Sequence, residues 1–232
     1  MKTIIVPTDF SPIAVNAMNY AIEMAKETGA SIVLFNAYQI PVGVADVRVM
    51  LVNADELKKN AEDRLDLLKQ SIEHITSHSI KVYTEAIMGD TVDELETLCN
   101  KLKPFAVVMG SKGSSGLERV IFGSTALTAI RHLSWPVIAV PAGKLYKHIA
   151  KVGFACDFKQ VMETTPVQFI KQMVREFGAE LHVLNIDYNN KRFKPETPEQ
   201  SFLLHNLLKD VTPQYHFINN ADIEDGINEF AE

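Results

Sequence analysis

Two groups of small residues are the part of this sequence best suited to chemistry. Gly110 and Gly113 follow a short apolar run over residues 105–109, and the triplet Gly-Ser-Thr at 123–125 precedes an apolar, helix-type segment at 126–132. Glycines permit a tight turn, and Gly-Ser-Thr is typical of a helix N-terminus. Unpaired N–H groups and the positive end of a helix dipole both attract anions. The pattern therefore predicts a phosphate-binding site.

The elements around this site alternate between strand and helix. Continuous apolar runs predict strands buried on both faces, and apolar residues at helical spacing predict the segments between them. The predicted order is strand 3–6, helix 12–28, strand 31–35, helix 57–75, strand 81–87, helix 91–101, strand 105–109, helix 126–132 and strand 136–140. Residues 39–53 are predicted to form a long apolar loop. This order requires a parallel sheet with right-handed crossovers and helices on both faces.

The glycine pattern and its flanking strands resemble the ATP-binding motif of the universal stress protein family. The resemblance rests on the spacing Gly110-x2-Gly113-x9-Gly123-Ser124, continues through residues 115–117 and 131–140, and extends over the first 141 residues. The Walker pattern is absent, and no G-x-G-x-x-G follows the first strand, which disfavours an ordinary P-loop or dinucleotide site. We expect an α/β, Rossmann-like fold with an open five-stranded parallel sheet in the order 3-2-1-4-5.

The resemblance implies which residues hold ATP with Mg²⁺ at the carboxyl ends of the strands. Pro7, Thr8, Asp9 and Ala37 would border adenine and ribose, and Met109 would pack on the base or, alternatively, in the core. Backbone and hydroxyl donors would hold the phosphates, and they come from Gly110, Ser111, Gly113, Gly123, Ser124 and Thr125. Lys112 and Arg119 would add positive charge. Asp9 suits a ribose hydroxyl or a metal ion bound through water. The alternative for Asp9 is a helix-entry aspartate satisfied by local N–H groups.

The second part of the sequence repeats the first. Asp157-Phe158 follows a new strand at 149–155 as Asp9-Phe10 follows the first strand, and residues 170–185 align with residues 21–36. Helices are expected at 202–208 and 222–230, with a strand at 214–218. We therefore expect a tandem architecture: a nucleotide-binding domain at 1–142, a linker at 143–148, and a partial second universal stress domain at 149–232. This partial copy lacks the glycine motif and the last two strands. The alternative that the chain is cut short at Glu232 stays open.

Composition narrows the class of protein. The chain has 232 residues, 47% of them hydrophobic, and a net charge of −6. Because it shows neither a long apolar run nor a run of basic residues, we expect no membrane span, no nucleic-acid partner and a cytoplasmic location. Cys99 and Cys156 lack CxxC spacing, which disfavours a disulfide framework or a zinc site, and Cys99 is expected in the core.

The sequence favours an ATP-binding regulatory or stress-response protein over an efficient enzyme. The spacing gives no pair of metal carboxylates, no positioned base and no catalytic triad, so at most weak ATP hydrolysis is expected, and no catalytic residue is assigned. One alternative is an interaction scaffold that binds no nucleotide, and another is a slow ATPase or phosphotransferase. We also predict a homodimer through the edge strand at 137–140, by which the family commonly pairs, unless the second half covers that edge.

Overall fold

The computed structural model describes residues 2–40, 53–111, 123–189 and 194–231. The chain divides into two compact units, Met1–Lys147 and His148–Glu232. Each unit contains a parallel sheet. No helix within the described ranges is both long enough and apolar enough to cross a membrane.

The first unit alternates strand and helix along the chain. Its elements are β1 (Thr3–Pro7), α1 (Pro12–Thr28), β2 (Ser31–Tyr38), α2 (Ala54–Ile75), β3 (Val82–Met88), α3 (Thr91–Leu102), β4 (Ala106–Ser111), α4 (Ser124–His132) and β5 (Val137–Pro141). The strands form one parallel sheet in the order β3-β2-β1-β4-β5. The α/β fold and strand order predicted from the sequence are confirmed. Most of the predicted loop at 39–53 lies outside the described residues.

Strand β1 is central, and it is buried on both faces. Ile4, Ile5 and Val6 have no exposed surface. Ile5 packs with Leu95 and Cys99 of α3, so Cys99 lies in the core as expected. Helix α1 packs on the opposite face of the sheet. Helices on both faces explain why the strand sequences are continuously apolar rather than alternating.

Helix α1 begins at the point where the chain leaves β1. The Ser11 side chain accepts a hydrogen bond from the Ala14 N–H, and Pro12 occupies the first turn, where its missing N–H costs nothing. Gly29 ends the helix in the left-handed conformation, with φ of 64°. These local signals fix the direction in which α1 departs, and with it the geometry of the β1–α1 turn.

The second unit carries a smaller, three-stranded sheet. Its elements are β6 (Lys151–Ala155), α5 (Val161–Thr164), α6 (Val167–Phe177), β7 (Glu180–Asp187), α7 (Thr197–Leu208), a 3-10 turn (Lys209–Val211), β8 (Gln214–Asn219) and α8 (Ile223–Ala231). The strands are parallel in the order β6-β7-β8. Strand β6 is therefore an edge strand, whereas β1 of the first unit is central.

The helical region after β6 is broken into two pieces, unlike α1. Thr165 is extended, with φ of −87° and ψ of 120°, and Pro166 stands directly before α6. Proline has no N–H to donate and disfavours helical backbone in the residue before it. The break between α5 and α6 therefore follows from Pro166. The alignment of residues 170–185 with 21–36 begins after Pro166, so it does not reveal this break.

Candidate functional site

A cleft of about 280 Å³ lies at the carboxyl ends of β1, β2 and β4. Its walls are the β1–α1 turn, the end of β2 and the first turn of α4. Its volume is near the lower end of the range for small-molecule sites, roughly 300–1,000 Å³. The location at the strand ends is where open α/β sheets bind ligands.

Most of the residues predicted for the nucleotide site come together in this cleft. Those that line it are Pro7, Thr8, Asp9, Ala37, Met109, Gly110, Gly123, Ser124 and Thr125. Ser111 does not line it; the residue has no exposed surface, and its Oγ has no hydrogen-bond partner among the described residues. Lys112, Gly113 and Arg119 lie outside the described residues.

The first turn of α4 provides the donors on one side of the cleft. Gly123 is the N-cap residue, with extended backbone at φ of −65° and ψ of 157°, and no side chain caps the helix. The first intrahelical bond runs from the Leu127 N–H to the Gly123 carbonyl, at 2.9 Å. The N–H groups of a helix's first turn have no intrahelical partner, and they carry the positive end of the helix dipole. Ser124 and Thr125 add hydroxyls beside them, so this wall suits an anion.

The β1–α1 turn forms another wall, and hydrogen bonds hold it. Thr8 Oγ1 accepts the Phe10 N–H at 2.9 Å, and Asn36 Nδ2 donates to the Thr8 carbonyl at 2.7 Å. Asp9 Oδ1 accepts the Ser11 N–H at 2.9 Å. One carboxylate oxygen of Asp9 thus binds a local N–H group, as the alternative role for this residue predicts. Asp9 nevertheless lines the cleft.

The Asp9 carboxyl is held in its charged form. Partial burial by itself raises the pKa of Asp9, but hydrogen bonds from Ser11 and the nearby charge of Arg64 outweigh it and hold the pKa below its ordinary value. An ionised carboxylate accepts hydrogen bonds from hydroxyls and favours a hydrated cation. Within the described ranges, no group of three or more histidine, cysteine, aspartate or glutamate side chains is arranged to hold a metal ion.

Met109 gives the cleft an apolar floor. It is 5% exposed and packs against Ala126 and Ala129 of α4. The floor therefore also positions the helix whose N-terminus faces the cleft. An apolar surface beside an uncapped helix N-terminus suits a ligand with one apolar, planar part and one charged part.

Gly110 has a different role from the tight turn expected from the sequence. Its backbone does not adopt a left-handed angle. A Cβ at this position would lie 2.4 Å from Ile13 Cγ2 and 2.8 Å from the Ile13 carbonyl oxygen. The expected tight turn therefore does not explain Gly110, which is required instead by the close packing of β4 against α1.

Several residues of the cleft were not predicted from the sequence. Ser11 of the turn, Ile13 of α1 and Thr91 of α3 line it. The helix-start signals of Ser11 and Thr91 place them at the same edge of the sheet, so they could have been found. Arg64 of α2 was also missed; its guanidinium carbon lies 3.7 Å from the centre of the Phe10 ring. No local signal in the sequence joins Arg64 to Phe10.

The first unit matches a known family. The model of the family described as "Universal stress protein family" matches residues 1–141. This chain belongs to the universal stress protein family. The match contains all the described elements that build the cleft.

Individual relatives agree with this assignment. A universal stress protein of Methanocaldococcus jannaschii is 30% identical over 145 residues, which is 62% of this chain and 84% of the relative. Universal stress protein G of Escherichia coli O157:H7 is 29% identical over 147 residues, 60% of this chain and 98% of the relative. The crystal structure of a universal stress protein from Archaeoglobus fulgidus DSM 4304 matches with a TM-score of 0.72 and 18% identity, covering 99% of this chain and 82% of its own. This last likeness shows the fold.

The second unit of this universal stress protein repeats the β1–α1 turn bond for bond. Cys156 donates its N–H to the Leu184 carbonyl at 2.8 Å, and Asn185 Nδ2 donates to the Cys156 carbonyl at 2.8 Å. Thr8 makes the same two contacts, with Phe35 and Asn36. Asp157 stands where Asp9 stands, but Lys159 binds it as an ion pair at 2.8 Å. The second unit thus shares the turn but pairs its carboxylate with a lysine.

Proposed function

We propose that this universal stress protein binds ATP with Mg²⁺ in the cleft of its first unit. We further propose that it acts in regulation or stress response, through a nucleotide-dependent state or partner. The observation that carries the proposal is the first turn of α4, which no side chain caps and which opens onto a cleft with Met109 as its floor. The helix end suits phosphates, and the apolar floor suits a base.

In this proposal the residues of the cleft contact the base, the ribose or the phosphates. Pro7, Ala37 and Met109 contact adenine, while Asp9 accepts a hydrogen bond from ribose. Backbone N–H groups and hydroxyls of residues 123–125 hold the phosphates. Mg²⁺ arrives with the phosphates and prefers oxygen ligands, so the ionised Asp9 carboxylate is the residue of the cleft best placed to bind it through water. Lys112, Gly113 and Arg119 keep their proposed roles in holding the phosphates.

Isothermal titration of ATP with Mg²⁺ tests the proposal. Wild type should bind, and Gly123→Val and Gly113→Val should abolish binding, because a branched side chain blocks close approach of the backbone to the phosphates. At Gly123 an added Cβ would meet no described atom within 4 Å, so loss of affinity there reports on the ligand rather than on folding. If both variants fold and keep wild-type affinity, the site is wrong. A wild type without affinity for any adenine nucleotide would favour the interaction scaffold.

Turnover separates a binding protein from a slow enzyme. Hydrolysis measured at saturating ATP should stay near the uncatalysed rate, since phosphoryl transfer requires a positioned nucleophile in addition to a phosphate cradle. Steady turnover that disappears in Gly123→Val would instead establish a slow ATPase or phosphotransferase.

We propose that the second unit is a partial second universal stress domain, supported by the repeated turn at Cys156 and the parallel order of β6, β7 and β8. We propose a homodimer through β5, because this apolar strand lies at the sheet edge. A cytoplasmic location, expected from the sequence, completes the proposal.

A further inference from the structure

Phe10 adopts an unusual backbone conformation at the edge of the cleft. Its φ is 65°, in the left-handed region that bulky residues rarely occupy. It lies between Asp9, which lines the cleft, and Ser11, whose N–H binds the Asp9 carboxylate. Such a conformation persists only where surrounding contacts hold it. The backbone of Phe10 thus places the Ser11 N–H that binds the Asp9 carboxylate.

Arg64 supplies a contact of this kind from a distant part of the chain. Its guanidinium carbon lies 3.7 Å from the centre of the Phe10 ring, within the range of a cation–π interaction. Leu65, the next residue of α2, is fully buried and anchors the helix at this point. The Arg64 charge also helps to lower the pKa of Asp9, although hydrogen bonds from Ser11 contribute more. One side chain of α2 therefore acts on both Phe10 and Asp9.

The second unit shows how the same turn is held without an arginine. Phe158 also has a left-handed backbone, with φ of 54°, but its ring is only 2% exposed and belongs to a core cluster with Val161 and Leu204. Its neighbour Asp157 is bound by Lys159. In the second unit, burial of the Phe158 ring therefore holds the turn, and Lys159 pairs with the carboxylate of Asp157. In the first unit, a cation covers the ring and leaves Asp9 lining the cleft.

We propose that Arg64 and Phe10 are positioning residues that hold the Asp9 carboxylate toward the ribose hydroxyls of the bound nucleotide. The inference rests on the proposed function and deepens it, because it assigns selectivity for ribose to a pair of residues outside the phosphate cradle. Arg64 acts through Phe10 and Asp9 and does not itself contact the ligand.

Titration with analogues that differ only in the sugar tests this proposal. The affinities of ATP, 2′-deoxy-ATP and 3′-deoxy-ATP are measured on the full chain for wild type, Asp9→Asn, Arg64→Gln, Arg64→Lys and Phe10→Leu. Wild type should prefer ATP to at least one deoxy analogue. Arg64→Gln and Phe10→Leu should lower this preference about two- to fivefold, the size of an exposed cation–π contact. Arg64→Lys should restore part of it, since a cation remains over the ring.

A structural role alone would not change the ratio between two sugars. The preference for ATP over AMP should stay at its wild-type value in Arg64→Gln, because the phosphates bind at α4. The matched control is Arg175→Gln, which removes an arginine that is 63% exposed in the second unit; it should leave both ratios unchanged. Thermal unfolding checks that each variant is folded.

The possible results distinguish a failure of the positioning role from a failure of the proposed ATP binding. If wild type binds no ATP, the proposed function fails. If wild type binds ATP but Arg64→Gln and Phe10→Leu keep its full sugar preference, the positioning role is overturned alone. It is likewise overturned if wild type binds ATP and both deoxy analogues equally, because Asp9 then does not read the ribose.

Discussion

At the scale of single residues, Gly110 and Gly123 are the same residue type for different physical reasons. Gly110 allows β4 to approach α1, where a Cβ would lie 2.8 Å from a backbone oxygen of Ile13. Gly123 has an extended backbone and open space around its Cβ position among the described residues. The first glycine serves the packing of the unit, and the second leaves the end of α4 uncapped.

The same substitution at the two glycines should therefore have different effects. Gly110→Ser should lower the free energy of unfolding by about 1–3 kcal/mol, the usual cost of overpacking. Gly123→Ser should leave stability equal or slightly higher, because serine is a good N-cap residue. It should nevertheless weaken ATP binding, because the introduced hydroxyl accepts hydrogen bonds from the same N–H groups that are proposed to bind the phosphates. Urea unfolding and titration check both statements; equal destabilisation by the two variants would contradict them.

Tyr146 links the end of the first unit to α1 in a pH-dependent way. Its hydroxyl donates to Glu27 Oε2 at 2.6 Å, and its ring packs edge-to-face on Tyr20 at 5.0 Å. Burial first, and then the hydrogen bond and charge of Glu27, raise the pKa of Tyr146 above its ordinary 10.0. A raised folded pKa gives stability that is present below the unfolded pKa and is lost as pH rises toward the folded pKa.

Tyr146→Phe should therefore destabilise the first unit most below the ordinary pKa of tyrosine. The expected loss near neutral pH is about 0.5–1 kcal/mol, because the bond is partly exposed. This difference from wild type should shrink above about pH 10, where unfolded tyrosine ionises. Urea unfolding at neutral and alkaline pH measures it, with Tyr83→Phe, at an exposed tyrosine, as the control for loss of a hydroxyl. A difference that grows with pH would show that the sign is wrong.

Residues whose environment is local in sequence could be predicted, and residues brought in from elsewhere could not. Thr8 and Asp9 follow a strand and precede a helix start, so the sequence alone places them at the sheet edge. Met109 ends a strand, and it lies on the cleft as expected. Arg64 is one of many polar positions on α2, and only the packed structure shows that it meets Phe10. Gly110 was placed correctly but explained wrongly, because close packing with Ile13 is a tertiary contact.

At the scale of elements, short-range chemistry accounts for several helix ends. Ser11, Pro12 and Gly29 mark the two ends of α1 in sequence and in structure. The division of α5 from α6 depends on Pro166. Comparison with α1 does not predict this division, because α1 is continuous through 17 residues. Sheet order required more than propensity: it followed from the alternation of strand and helix together with the family resemblance.

Helix α8 shows how one glycine sets the distance between two elements. A Cβ on Gly226 would lie 2.9 Å from Ile186 Cγ2 of β7. Gly226→Leu should therefore lift α8 from the sheet and speed amide hydrogen exchange along the helix, because a helix that loses its packing opens more often. Glu229→Ala, at an exposed position of the same helix, should not. Unchanged exchange in Gly226→Leu would mean that α8 does not depend on this contact.

At the scale of the whole molecule, the edge strand β5 predicts association. Residues 137–139 are half-buried and apolar, and Val140 is buried. Uncovered apolar edges invite pairing with another chain, and a charge on the edge opposes it. Light scattering should give a dimer mass for wild type and a lower mass for Ile138→Lys. Leu67→Lys, at a position of α2 that is 64% exposed, is the matched control. A monomer mass for wild type at micromolar concentration would contradict the homodimer.

The two units should also differ in ligand binding, although they share the same strand-end turn. Asp9 lines a cleft, whereas Asp157 is paired with Lys159 at 2.8 Å, and the sequence of the second unit contains no counterpart of the glycine motif. Titration should therefore give one nucleotide per chain. Asp9→Asn should weaken binding, because an amide oxygen is a poorer acceptor than a carboxylate, and Asp157→Asn should leave affinity and stoichiometry unchanged. A stoichiometry of two, falling to one in Asp157→Asn, would show that the repeated turn binds a ligand of its own.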